Sequence, residues 1–178
     1  LARYQHAAPE SFDKTTDWLL EGMAAAFEKN PARLAVVGED PMLLSGQNPE
    51  HVGRANQAMS KASSPLRERI TRFDINWHIV AWPGLQWAKL VFPQMSDADA
   101  QIALAEAIFK ASRVNTSDPN GAWAVHNKNL RARTEWLNTK NFAALHFYGE
   151  GTDLTVGLAD GHEWMGGAST ARNGVTCN

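Results

Sequence analysis

Six histidines and one cysteine are the residues on which metal or nucleophilic chemistry would be built. The histidines are His6, His51, His78, His126, His146 and His162. None falls in His-x-His or His-Glu-x-x-His spacing, the arrangements that aim two imidazoles at one zinc ion. His162-Glu163 opens such a motif and lacks its second imidazole. His78 stands alone inside an apolar stretch, which suits a packed residue better than a ligand. Cys177 has no flanking signature, and a reactive thiolate needs a positioned base. Gly166-Gly167-Ala168-Ser169 has the wrong spacing for a nucleophile elbow. Gly149-Glu150-Gly151 has no third glycine and precedes a strand, so the dinucleotide fingerprint fails. Leu44-Ser45-Gly46-Gln47 has no Walker lysine loop anywhere in the chain to accompany it. From the residues alone, no catalytic residue, no cofactor-binding residue and no metal ligand can be assigned.

The elements that would position any chemistry are easier to read. A helix starting at Thr15 or Thr16 carries Trp18, Leu19, Met23, Ala26 and Phe27, and Asn30-Pro31 ends it. Leu34-Ala35-Val36-Val37 is a continuous apolar run, the pattern of a buried strand in a parallel sheet. Gly38-Glu39-Asp40-Pro41 leaves its carboxyl end, where open α/β sheets tend to bind ligands. Glu39 and Asp40 are therefore site candidates, although a loop-capping role is the simpler account. Asn48-Pro49 starts a second helix, interrupted or restarted at Pro65. It carries Arg54, Lys61, Arg67, Arg69 and Arg72, either a phosphate-binding face or a solvated surface. Ile75 to Trp82 is the second apolar strand, and Gln86 to Phe92 a short helix closed by Pro93.

Ser96-Asp97-Ala98-Asp99 resembles a capping box and favours the positive end of a helix dipole, so its acids are not a metal motif. Asp118-Pro119 repeats the start signal. Trp123, Leu130 and Leu137 then recur every seventh residue as a packed stripe, with Lys128, Arg131, Arg133 and Glu135 on the solvent face. Leu145 to Tyr148 and Leu154 to Leu158 are strands, the latter alternating as a half-buried strand does. Asn173-Gly174 predicts a type I′ turn, and Val175-Thr176-Cys177 the returning strand. The fold class expected is α/β: a layered, parallel-type sheet with flanking helices, followed by the first strands of a β-rich second domain. The corresponding division is 1–149 and 150–178.

The totals set bounds. A chain of 178 residues with 44% hydrophobic content fits one medium domain, or one and part of another. A net charge of -2 argues against nucleic acid as partner. A single cysteine fits a reducing cytoplasm. No apolar run approaches the roughly 20 residues of a membrane span. The seven tryptophans (Trp18, Trp77, Trp82, Trp87, Trp123, Trp136 and Trp164) serve packing or, as a sharper reading, line a cavity or an interface.

Several stretches together carry a resemblance. They are Gly151-Thr152-Asp153-Leu154-Thr155, Gly161-His162-x-Trp164-x-Gly166-Gly167 and Asn173-Gly174 near the end. Earlier come Glu39-Asp40-Pro41, Trp87 to Pro93, Ile108-Phe109-Lys110-Ala111-x-Arg113-Val114, Asp118-Pro119 with Trp123, Leu137-Asn138, and Phe142-x-x-Leu145-His146. In this order the chain resembles the thermophilic metallo-aminopeptidase family of the aminopeptidase T and aminopeptidase S type. The resemblance implies removal of N-terminal residues from peptides, with two divalent metal ions, zinc or cobalt, in the full-length enzyme. It implies a homodimer whose N-terminal domains help enclose the active-site cavity. The loops after Val37 and Trp82 and the tryptophans then become candidate wall or interface residues.

The resemblance implies metal ligands in a C-terminal catalytic domain, the first a glutamate within an Asn-x-Pro-Thr-Glu-Glu run, with Asn178 at the threshold of that run. The resemblance therefore transfers no ligand onto any residue here, and His162 and Trp164 are shaping residues at most. The expectation is an N-terminal fragment lacking both the chain start and the metal-ligand region. It would be inactive and metal-free by itself and cytoplasmic, with peptide substrates but no nucleic acid or membrane as partner. The competing expectation is a non-catalytic α/β binding or scaffold module with a Trp-rich surface. Reading the coding sequence past Asn178 separates the two.

Overall fold

Helix starts are set by short-range hydrogen bonds that the sequence advertises. In the computed structural model, which describes residues 1–177, α1 spans Ala2–His6 and a 3-10 turn Pro9–Asp13. Then come α2 (Asp17–Phe27), β1 (Arg33–Val37), α3 (Pro49–Ala62), α4 (Ser64–Thr71), β2 (Trp77–Ala81) and α5 (Leu85–Val91). The chain continues through α6 (Asp97–Ala111), α7 (Pro119–Lys140), β3 (Ala144–Gly149), β4 (Thr152–Gly157), β5 (Ser169–Thr170) and β6 (Thr176–Cys177). Asn48 caps α3 by accepting from Glu50 N at 2.9 Å. Asp118 caps α7 by accepting from Gly121 N at 2.9 Å. Ser96 accepts from Asp99 N at 3.2 Å, and its hydroxyl donates to the Asp99 carboxylate at 2.6 Å. Each cap satisfies an amide that a helix start leaves without a partner.

Two compact units result, Leu1–Ser112 with Thr170–Cys177, and Arg113–Ser169. In the first, β1 and β2 pair in parallel, Arg33 opposite Trp77 through Val37 opposite Ala81, with α3 and α4 in the crossover. Two small cores hold it. Phe27, Leu66 and Ile75 pack with Leu20, Met23 and Ile70. Ala88, Ala100 and Leu104 pack with Trp87, Phe92 and Ile108, joining α5 to α6. Phe12 is buried separately, its ring stacked on His51 and Tyr4 at 4.5 and 5.4 Å.

The strands are parallel as expected but are not buried. Leu34 and Val36 are 63% and 59% exposed and share a face with His78 and Val80. Parallel strands read as continuous apolar runs because both faces are meant to be covered. Among the described residues, this face is left open. At the carboxyl ends the two strands come together through glycine. A Cβ on Gly84 would lie 2.0 Å from Gly38 O, and one on Gly38 would lie 2.4 Å from Trp82 O.

In the second unit α7 turns its Trp123, Leu130, Thr134 and Leu137 side inward, none fully buried, and ends at Asn141 in a left-handed conformation. β3 and β4 form an antiparallel hairpin, Ala144 opposite Gly157 through Gly149 opposite Thr152. Its turn lies at Gly149 to Gly151, where composition suggests a change of region. The half-buried strand expected at Leu154 is a correction. Leu154 and Val156 are exposed, because no third element covers the hairpin among the described residues.

The type I′ turn at Asn173-Gly174 is a second correction. Positive φ occurs at Gly174 (84°) but not at Asn173. Ala171 N donates to Val175 O and Gly174 N to Ala171 O, both at 2.9 Å. This is a three-residue loop with glycine at the bulge position. Asn178 lies outside the described residues.

Candidate functional site

The most distinctive wording of the chain, Gly161 to Gly167, is a strap laid along α7. Asn138 holds it from both sides: its Nδ2 donates to Trp164 O at 3.0 Å and its Oδ1 accepts from Trp164 N at 2.7 Å. The side-chain amide thus pairs with the strap's backbone as a neighbouring strand would. The glycines are required by closeness to the helix. A Cβ on Gly166 would sit 3.2 Å from Thr134 Cγ2, and one on Gly167 3.3 Å from Asn127 O. Gly167 also has φ of +86°, where a side chain is strained. His162 Nδ1 lies 2.9 Å from Ala159 O, and its ring meets Trp164 edge-on at 5.9 Å. Met165 is left 77% exposed. Both His162 and Trp164 shape the strap, and neither approaches a group of metal-ligating side chains.

The other histidines are scattered. His146 Nε2 pairs with Asp153 Oδ1 at 2.7 Å across the hairpin, on the face away from Phe147 and Leu154. His126 meets the Trp123 ring edge-on. His78 is exposed in β2. Cys177 is a free thiol in β6. Among the described residues, no group of three His, Cys, Asp or Glu side chains could hold a metal ion. The donors these residues present do not fit a metal.

Glu39 and Asp40, the candidates at the carboxyl end of β1, act as loop caps. Glu39 accepts from Gly38 N at 3.2 Å, and hydrogen bonds from its own and the Gly38 backbone amides hold its carboxyl below the ordinary glutamate value. Asp40 accepts from Met42 N at 2.9 Å. The basic stretch is largely neutralised. Arg54 Nε donates to Asp13 at 2.9 Å, Arg69 pairs with Glu28 and Arg72 with Glu68. Asp97, at the start of α6, pairs with Lys89 at 3.1 Å.

Two features escape a reading of the residues. Asn138 has no local signature beyond following a stripe leucine, since its partner lies 26 positions away. Asn76 against Asn173 joins positions 97 apart, with Asp74 against Arg172 beside it.

Comparison with known proteins gives a consistent picture. The profile of the thermophilic metalloprotease (M29) family matches residues 1–178. Aminopeptidase T of Thermus aquaticus is 52% identical over 171 residues, which cover 96% of this chain and 42% of that protein. Aminopeptidase T of Thermus thermophilus is 49% identical over 172 residues, and aminopeptidase AmpS of Bacillus subtilis 35% identical. The solved structure of wild-type AmpT from Thermus thermophilus aligns with a TM-score of 0.86 at 47% identity. That alignment covers 99% of this chain and 43% of AmpT. The chain spans about 42% of the length of these curated relatives.

Proposed function

The chain belongs to the thermophilic metalloprotease (M29) family, and from that premise we propose that the whole protein is a metallo-aminopeptidase. It removes N-terminal residues from peptides by hydrolysis, with a pair of divalent ions, zinc or cobalt, as cofactor. The observation that carries this reading is 52% identity to an aminopeptidase T, spread over 96% of the chain. Residues 1–149 belong in this reading to the N-terminal α/β domain, and 150–178 lead into the catalytic domain. Their part is structural: they supply no metal ligand and no catalytic residue. The enzyme acts on peptides in the cytoplasm as a homodimer. Among the described residues, no helix is long and apolar enough to cross a membrane.

The test is hydrolysis of leucyl-p-nitroanilide by the whole protein. The expected result is release of nitroaniline that stops on chelation and returns on adding zinc or cobalt. Absence of hydrolysis across a panel of aminoacyl anilides, with metal supplied, sinks the reading in favour of a binding or scaffold module.

A further inference from the structure

The tripeptide Asp74-Ile75-Asn76 leads into β2 and is gripped from two directions. Ile75 is 1% exposed in the first core. Asn76 O accepts from Arg33 N at 3.0 Å, at the start of β1. Its side-chain Oδ1 accepts from Asn173 Nδ2 at 2.9 Å. Asn173 is used at both ends, since its Oδ1 accepts from Val175 N at 3.1 Å and shapes the terminal turn. Beside it Arg172 N donates to Phe73 O at 2.9 Å. The Arg172 guanidinium lies 2.9 Å from Asp74 Oδ1, a charge contact rather than an aligned hydrogen bond. The Asp74 side chain is 19% exposed and that of Arg172 70%, so the carboxylate is held close to the fold while water reaches the guanidinium. Ala171 is buried behind the turn.

The terminal hairpin is thus fastened to the α/β unit by side-chain contacts from two consecutive residues and one backbone bond. The grip holds the turn from which β6 departs. We propose that Asp74 and Asn76, with Arg172 and Asn173, form a latch that orients the chain leaving the α/β unit. They are positioning residues for the hydrolysis carried by other parts of the whole protein. The inference rests on the aminopeptidase reading. In this reading none of the four is a catalytic residue; each acts through the course of β6. Small misplacements of reacting groups lower turnover steeply while leaving substrate binding largely intact.

The experiment uses the whole protein carrying Asp74→Asn, Arg172→Gln, their double variant, Asn76→Ala and the conservative Arg172→Lys. Turnover of leucyl-p-nitroanilide is measured per folded molecule, well below each variant's thermal midpoint. The charge-removing variants and Asn76→Ala should lose about tenfold in kcat with KM changed less than about twofold. The Asp74→Asn/Arg172→Gln double variant should lose no more than either single one, since the two act as a unit. Arg172→Lys should recover most of the turnover. Folded variants with wild-type kcat, or losses that simply add, overturn the latch. A wild-type protein with no hydrolysis overturns the aminopeptidase reading instead, and the positioning role with it.

Discussion

The two units of the chain are held together by different means. All the fully buried apolar residues among those described, from Phe12 to Leu104 and Ala171, lie in the first unit. In the second, Arg113–Ser169, none is fully buried. Its order comes from the Asn138 bridge to Trp164, close glycine contacts along α7, and the β3–β4 ladder. The most recognisable sequence therefore sits where hydrophobic burial is weakest. In the first unit residue identity is dictated by packing. In the second it is dictated by backbone approach and hydrogen bonding, which tolerate fewer substitutes at each glycine.

The sharpest way to break this contrast is to cut each region at its main support. Ile75→Ala empties part of the first core and should cost about 2–5 kcal/mol, read as faster amide exchange throughout β1 and β2. The apolar truncation Leu154→Ala in exposed β4 should stay within about 0.5 kcal/mol, and equal losses would erase the distinction. Next in size is Gly167→Ala, which must hold a side chain at positive φ against Asn127 O and should cost about 1–2 kcal/mol. Its exchange signature should be confined to the strap. Asn138→Ala removes two hydrogen bonds from a largely exposed site and should cost about 1 kcal/mol. Protection at the Trp164 amide should be lost while that of the first core stays.

The smallest effect is electrostatic. The Arg54 hydrogen bond holds Asp13 below its ordinary value, with the neighbouring charge adding to it. A depressed aspartate contributes stability above its unfolded value and loses it as pH falls through the folded one. Asp13→Asn should therefore flatten the acid limb of the stability curve by lowering stability slightly at neutral pH and leaving it unchanged at the acid end, where the carboxyl is protonated in both the folded and the unfolded state. An unaltered acid limb would mean that the pair contributes nothing.

Much of the first unit was legible because its signals are local. Asn48-Pro49 and Ser96 announce their helices through hydrogen bonds within three residues, as Asp118-Pro119 does for α7 in the second unit. The strand pair followed from two continuous apolar runs separated by helices. The openness of the β1–β2 face did not follow, because an apolar run reports what a strand is suited to meet, not whether it meets it. The turn at Asn173 was misread for a related reason. The Asn-Gly pair satisfies several turn geometries, and the choice here goes with the pairing of Ala171 and Val175 and the grip on Asn76. The strap's dependence on Asn138 and the latch at Asp74 join distant positions, for which no spacing rule exists.

The central claim is that this chain builds scaffold while metal and catalysis reside elsewhere in the whole protein. Calorimetric titration with zinc and cobalt tests it directly, comparing the whole protein with residues 1–178 alone, each shown folded by circular dichroism. The account predicts binding of two metals by the whole protein, as two-metal hydrolysis requires, and none by residues 1–178. Tight, stoichiometric metal binding by residues 1–178 would contradict it.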